Sequence, residues 1–322
     1  MKSHLVIIII SNYNGASIKY KNKSILDICL DSIKNTKYDN YKILITDDCS
    51  TDNSVNYLKS KYPNIDILKS EFNGGFSRNN NNGIKYAMKK YNPEYILLLN
   101  NDIIIKNRFW LKSLVDTALS EKNVGLVGCK LLFPNKRIQF SGYKLKPIPR
   151  YIGRFELDTG DYDKIREVDG ITGALMLIKR DVIKKVGLLD ENLYMGFDDA
   201  DYSIRVKSSG FKCLFNGHIS ATHIEGTSTI KQNKNKRFFL VQVGFIYFSL
   251  KHLNLFERIL IIFFELGGSL FSIENEKTGR SFKNLHLNNN FFERFLLSLK
   301  AIPVAYKIYA KKEKIEKYLI PT

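Results

Sequence analysis

Hydrophobic and polar positions fall in blocks along the first hundred residues. Short apolar runs at 5–10, 41–46, 65–69 and 95–99 are rich in isoleucine, leucine and tyrosine, as expected of strands buried on both faces. Between them, residues 23–35, 52–62 and 77–90 carry apolar side chains at helical spacing. Buried strands alternating with amphipathic helices predict a parallel sheet with crossover helices. In such sheets ligands bind beyond the carboxyl ends of the strands.

Polar residues collect at those ends. The first strand runs into Ser11-Asn12-Tyr13-Asn14, the second into Asp47-Asp48-Cys49-Ser50, and the fourth into Asn100-Asn101-Asp102. The stretch 71–83, with Gly74-Gly75 and four successive asparagines, lies between the third strand and its helix. Within "YILLLNNDIII" the polar triplet reads as the exposed carboxyl end of a buried strand, because burying an unpaired carboxylate costs several kcal/mol or more.

Farther along, residues 124–169 read as mixed strands and loops, with Pro147 and Pro149 marking an irregular connection. A second strand-helix pair spans 173–187, an acidic helix start spans 197–210, and two short strands end near His223. From Arg237 the pattern changes to long apolar helices at 237–253 and 255–273. Gln242 interrupts the first, and Glu257, Arg258 and Glu265 the second. Neither offers the length of clean apolar sequence a membrane span needs. A helix lying on an anionic membrane surface and a helical layer packed on the domain both remain open.

Composition narrows the classes. The chain has 322 residues, 44% of them hydrophobic, enough for one large domain with an appendage. Cys29, Cys49, Cys129 and Cys213 are scattered, with no CxxC pair, which fits a reducing compartment. The start is too short for a signal h-region, so a cytoplasmic chain is expected. The net charge is +18, and from Lys231 onward 16 Lys/Arg face 7 Asp/Glu. That excess suggests an anionic partner or surface. No helix-turn-helix, zinc finger or RNA-binding signature is present, so nucleic acid is not the expected partner.

Several residues carry candidate chemistry. In "TDDCSTDNS" an N-cap accounts for Ser50 or Asp52, but not for the adjacent carboxylates of Asp47 and Asp48, which could accept hydrogen bonds from a nucleotide. Asp102, on the same sheet edge, suits a hard divalent cation. Asp201 and Arg205 are spaced for an i,i+4 ion pair. Asp198 and Asp199 would repel one another, so a proton-accepting or ligand-binding task suits them. His223 ends a short strand, where an imidazole is either structural or a metal ligand.

In register and order, "IIIISNYNG", "ITDDCSTDNS", "NGGFSRNNNNGI", "YILLLNNDIII", "GALMLIKRDVIKKVGLLDENLYMGFDDADYSIR" and "THIEGTS" resemble the family-2 glycosyltransferases. Rhamnosyltransferase- and galactofuranosyltransferase-like members are most similar, and the likeness covers roughly residues 4–228. The resemblance implies an α/β, GT-A mixed sheet flanked by helices over 1–228, followed by a helical region over 229–322. It implies inverting, divalent-metal-dependent transfer with Mg2+ or Mn2+, from a UDP- or dTDP-sugar to a glycan or lipid-linked glycan. Ser11, Tyr13, Asp47 and Asp48 would hold base and ribose, with Arg78 and Asn81 nearby. Asn100 stands at the donor site, where many members have the first aspartate of a DxD element. Asp102 would be that element's metal-binding end, joined by His223. Asp199 would be the catalytic base beside Asp198, which replaces the family's usual glutamate. A sugar-nucleotide pyrophosphorylase and a catalytically degenerate glycan- or membrane-binding protein are the alternatives.

Overall fold

The computed structural model describes residues 3–145, 149–224, 234–258 and 291–319. Strand β1 (Val6–Asn12) lies inside a mixed sheet, and Val6, Ile7, Ile8, Ile9 and Ile10 are fully buried. At about 1.5–3 kcal/mol per buried aliphatic side chain, this strand anchors the sheet. A small ribbon of β2 (Lys19–Tyr20) and β3 (Lys23–Ser24) leads into α1 (Ile25–Ile33). Then β4 (Tyr41–Asp47), α2 (Ser54–Lys61), β5 (Asp66–Lys69), α3 (Gly75–Lys90) and β6 (Tyr95–Asn100) continue the alternation. Strands β4 and β6 flank β1 in parallel, and β5 pairs in parallel with β4. Through α3 the chain therefore crosses from one side of β1 to the other, and a crevice opens at the strands' carboxyl ends.

The other half departs from the parallel pattern. In chain order come β7 (Ile103–Ile105), α4 (Trp110–Leu119), β8 (Val124–Leu132), β9 (Ile138–Phe140), β10 (Tyr143–Lys144) and β11 (Arg150–Tyr151). They are followed by β12 (Ile165–Val168), β13 (Leu175–Lys179), α5 (Arg180–Val186), α6 (Asp198–Ser208) and β14 (Lys212–His223). Strand β13 is inserted antiparallel between β6 and β8, giving the order β12-β14-β8-β13-β6-β1-β4-β5. The sheet is thus mixed, and the parallel reading of the first half holds only from β5 to β6.

The two short strands expected before His223 form one strand, β14, of 12 residues. Its register against β8 shifts between Asn216 and Ser220, and this bulge breaks the apolar pattern into two pieces. At Gly217, inside the bulge, a Cβ would overlap the Tyr162 carbonyl oxygen. Glycine is required there by close backbone approach.

Helices α7 (Lys234–His252) and α8 (Phe291–Lys311) follow. Val243, Phe245 and Phe248 of α7 and Ala301, Ala305 and Ile308 of α8 belong to the same apolar cluster as Ile8, Ile10 and Leu26. No helix among the described residues is long and apolar enough to cross a membrane. From 259 onward, the apolar run expected at 255–273 lies outside the described residues.

Candidate active site

Strand register assembles the polar ends. Ser11 pairs with both Thr46 and Asn100, and Asn12 pairs with Asp47. The ladder therefore continues through the polar residues that mark the strand ends in sequence. Beyond it lies a cleft of about 380 Å³ lined by Ser11, Tyr13, Asp48, Asn100, Asp102, Asp198, Asp199 and His223, among others. Of the residues singled out in sequence, Asp47, Arg78 and Asn81 do not line it.

The two adjacent aspartates divide. Asp47 is fully buried; its carboxylate accepts from Asn12 Nδ2 at 2.8 Å, the Ser50 N–H at 2.9 Å and the Ser50 hydroxyl at 2.6 Å. It ties β1 to the loop after β4. Asp48 faces the cleft and accepts the N–H groups of Gly74 and Gly75, each at 2.9 Å, one on each oxygen. Gly75 sits at φ +80°, with Tyr194 where a Cβ would go. Burial pushes the Asp48 carboxyl up to about 7, against the two glycine amides and Arg78, with the Asp47 charge adding to the rise.

Helix α3 turns Arg78 and Asn81 away from the cleft. The Arg78 guanidinium stacks 4.2 Å from the Phe72 ring centroid and pairs with Glu316 and, at 3.9 Å, Glu191. Asn81 brackets Leu189, donating to its carbonyl at 2.9 Å and accepting its N–H at 3.0 Å, and also donates to Glu191 at 3.0 Å. Both fasten α3 to later segments of the chain. Asn79, on the cleft side, donates to the Ser11 hydroxyl at 2.7 Å and the Thr46 carbonyl at 2.9 Å.

The triplet 100–102 is not a solvated strand end. Asn101 and Asp102 are 3% and 5% exposed because β7 resumes pairing immediately, matching Ile103 with His223 of β14. Asn101 Nδ2 donates to Asn12 Oδ1 at 2.9 Å. His223 Nε2 lies 3.1 Å from Asp102 Oδ1, and His223 Nδ1 lies 2.7 Å from Gln139 Oε1. The Gln139 amide thus faces Nδ1, and Nε2 is turned toward the carboxylate.

The acidic pair enters from α6. Before it, Gly196 and Phe197 have φ of +78° and +66°, and a left-handed phenylalanine costs roughly 1–2 kcal/mol. Phe245 and Phe248 of α7 hold the Phe197 ring at centroid distances of 5.3 and 5.5 Å. Asp199 Oδ1 accepts from the Tyr143 hydroxyl at 2.9 Å and the Ala200 N–H at 2.8 Å, and Oδ2 from the Gly173 N–H at 3.1 Å. Burial raises the Asp199 carboxyl, opposed by the Gly173 amide and the Tyr143 and Thr172 hydroxyls. Burial and the Asp199 charge push Asp198 well above the usual carboxylate range. A carboxylate held this way is more basic than one in water and oriented to receive a proton.

Asp201, the third acid of the helix start, is turned inward. Its carboxylate meets Arg205 Nε at 2.8 Å, Lys251 Nζ at 2.6 Å and His252 Nε2 at 2.7 Å. Lys251 also reaches Asp190 at 2.6 Å. Tyr143, Gln139, Asn79 and Arg237 carry no motif of their own, and sequence reasoning passes over them. Asn79 alone has a local signal, within the asparagine run after Gly74-Gly75.

Comparison with known proteins agrees with this architecture. Residues 7–187 match the model of glycosyl transferase family 2. The chain is 26% identical to the O-antigen biosynthesis protein RfbC of Myxococcus xanthus over 60% of its own length, and spans only 16% of that protein. Against the dTDP-rhamnosyl transferase RfbF of Shigella flexneri, identity is 21% over 73% of this chain and 82% of the relative. In fold the chain is similar to the mannosyltransferase PcManGT of Pyrobaculum calidifontis, solved in complex with GDP-Man and Mn2+. The TM-score is 0.53 at 14% identity, covering 100% of this chain and 77% of the other. The mixed sheet flanked by helices is a GT-A fold. Because the family model runs from β1 through α5, more than half of the chain, the protein belongs to glycosyl transferase family 2.

Proposed function

We propose that the protein is an inverting, metal-dependent transferase. It would move a sugar from a UDP- or dTDP-linked donor to a hydroxyl of a glycan or lipid-linked glycan in cell-surface polysaccharide synthesis. One observation carries this reading: the Asp102–His223 pair and the Asp198–Asp199 pair open into the same cleft. The name of the relative RfbF, a dTDP-rhamnosyl transferase, favours a deoxyhexose donor.

In this reading Ser11, Tyr13 and Asp48 bind base and ribose, and Asn100 lies against the donor's polar groups. The acceptor oxygen attacks the anomeric carbon as its proton passes to Asp199. The bond from that carbon to the diphosphate oxygen breaks, and its electron pair leaves with the nucleoside diphosphate. Attack opposite the leaving group inverts the anomeric configuration. Tyr143 and the Gly173 amide keep Asp199 oriented and ionised for this step.

The residues fit Mg2+ or Mn2+. Asp102 and His223, whose carboxylate oxygen and imidazole nitrogen lie 3.1 Å apart, would hold the ion with a hard oxygen and a neutral nitrogen. No group of three or more His, Cys, Asp or Glu gathers among the described residues. Two protein ligands suit an ion that completes its shell with substrate phosphates and water. When bound, such an ion places positive charge on the departing diphosphate.

Thermal denaturation across a panel of UDP- and dTDP-sugars, with and without Mg2+ or Mn2+, tests the reading. The true donor at a hundredfold excess over its Kd should stabilise by about 2.7 kcal/mol, and Asp102→Ala should remove the metal-dependent part. An unchanged metal effect in the variant contradicts the ligand assignment. No response to any nucleotide sugar contradicts the donor class.

A membrane-surface role is supported by α8. Leu296, Leu299 and Tyr306 are exposed at helical spacing beside Lys300, Lys307 and Lys311, an apolar stripe with a basic border suited to anionic lipid. In this reading the enzyme works at the inner face of the cell membrane. At about 1 kcal/mol per basic residue near the surface, Lys300→Ala with Lys307→Ala should weaken co-sedimentation with phosphatidylglycerol vesicles about thirtyfold. Equal sedimentation with purely zwitterionic vesicles would remove the electrostatic part of the claim.

A further inference from the structure

Acidic side chains dominate the charged lining of the cleft. Asp48, Asp102, Asp198 and Asp199 all line it, yet the group that leaves in the proposed reaction is itself an anionic diphosphate. Among the described residues lining the cleft, Arg237 is the one permanently charged cation, with His223 the other basic side chain. Arg237 lies outside every motif that carries the family resemblance and beyond residues 7–187. It belongs to the first turn of α7.

We propose that Arg237 is a diphosphate-binding residue, supplied to the cleft by the C-terminal helical region and acting together with the Asp102–His223 pair. This rests on the nucleoside-diphosphate donor proposed above. Arginine suits the task because its planar fork binds phosphate oxygens in pairs and stays charged at every working pH. The helix that carries that fork is packed against the domain. Phe238, the next residue, is 1% exposed, and α7 is tied to the acidic helix by the Phe197 ring contacts and the Asp201 ion pairs. Neighbouring Lys236 is engaged elsewhere, donating to the Leu319 carbonyl at 2.5 Å. The helix that braces Asp198 and Asp199 therefore also delivers a cation to the cleft.

Calorimetric titration of the full chain in Mg2+ separates the diphosphate from the rest of the donor. The ligands are UDP and dTDP, with uridine and thymidine as their phosphate-free counterparts. Arg237→Ala should weaken the preferred diphosphate about 10- to 100-fold, the range for a lost charged hydrogen bond, and leave the nucleoside unchanged. Arg237→Lys should fall between the two. Undiminished diphosphate affinity in Arg237→Ala overturns the inference. So does equal loss of nucleoside affinity, which would mean that the residue only maintains the cleft. If the unmodified chain binds neither diphosphate, the donor reading fails first and this inference with it.

Discussion

Replacing Asp199 with asparagine is expected to lower kcat by about 10²- to 10⁴-fold, the usual contribution of a positioned proton acceptor, while donor affinity stays the same. The amide keeps the shape of the carboxylate, and its oxygen can still accept from Tyr143 or Gly173. It cannot take up the acceptor proton. The pH profile adds a second readout. Burial raises the Asp199 carboxyl, so protonation removes the proposed base at a higher pH than it would for an exposed aspartate. The rate should therefore decline on the acid side along a limb that Asp199→Asn lacks. Product release under saturating donor gives kcat, and calorimetry gives the donor Kd. Full turnover by the variant would remove Asp199 from the mechanism.

The second large effect falls on stability. Asp201→Ala should destabilise the protein by about 3 kcal/mol, the lower end of the range for breaking a buried ion pair. The lower end applies because the stranded cations keep other partners. Lys251 retains Asp190 at 2.6 Å, and Arg205 retains the Leu188 carbonyl at 2.9 Å. The sign with pH follows from the same contacts. Burial alone would raise the Asp201 carboxyl, but His252, Arg205 and Lys251 outweigh it and hold it below its ordinary value of 3.8. Its stabilisation is then full above that value and disappears as pH falls through the depressed one. Denaturant melts of both proteins should differ most near neutrality and converge in strong acid. A difference below about 1 kcal/mol, typical of an exposed pair, would mean that the network does not bear on folding.

The sequence pattern carries much of this architecture, for reasons that also mark where it stops. Apolar blocks locate β1, β4 and β6 because their side chains have only one way to be buried. Their ends are misjudged because Ser11, Asn12, Asp47 and Asn100 stay in the hydrogen-bonded ladder, and polarity says nothing about backbone pairing. The triplet 100–102 looks solvated in one dimension. It is covered by β14, which arrives more than a hundred residues later. On α3, the resemblance brings the right stretch but not the helical phase. Gly75 and Asn79 share the cleft side, whereas Arg78 and Asn82 border a neighbouring hollow. Tyr143 and Arg237 leave no local trace, since what they do depends on contacts made across the chain.

The left-handed Phe197 bears on how such enzymes diversify. Its ring is held by two aromatic residues of a helix that follows the family-matched region, and the acids beside it point into the cleft from that turn. The C-terminal region is therefore not an interchangeable module. A chimera given another relative's tail would need aromatic residues at the positions of Phe245 and Phe248 and a cation facing Asp201. Without them the graft could fold and still hold its acids in the wrong place.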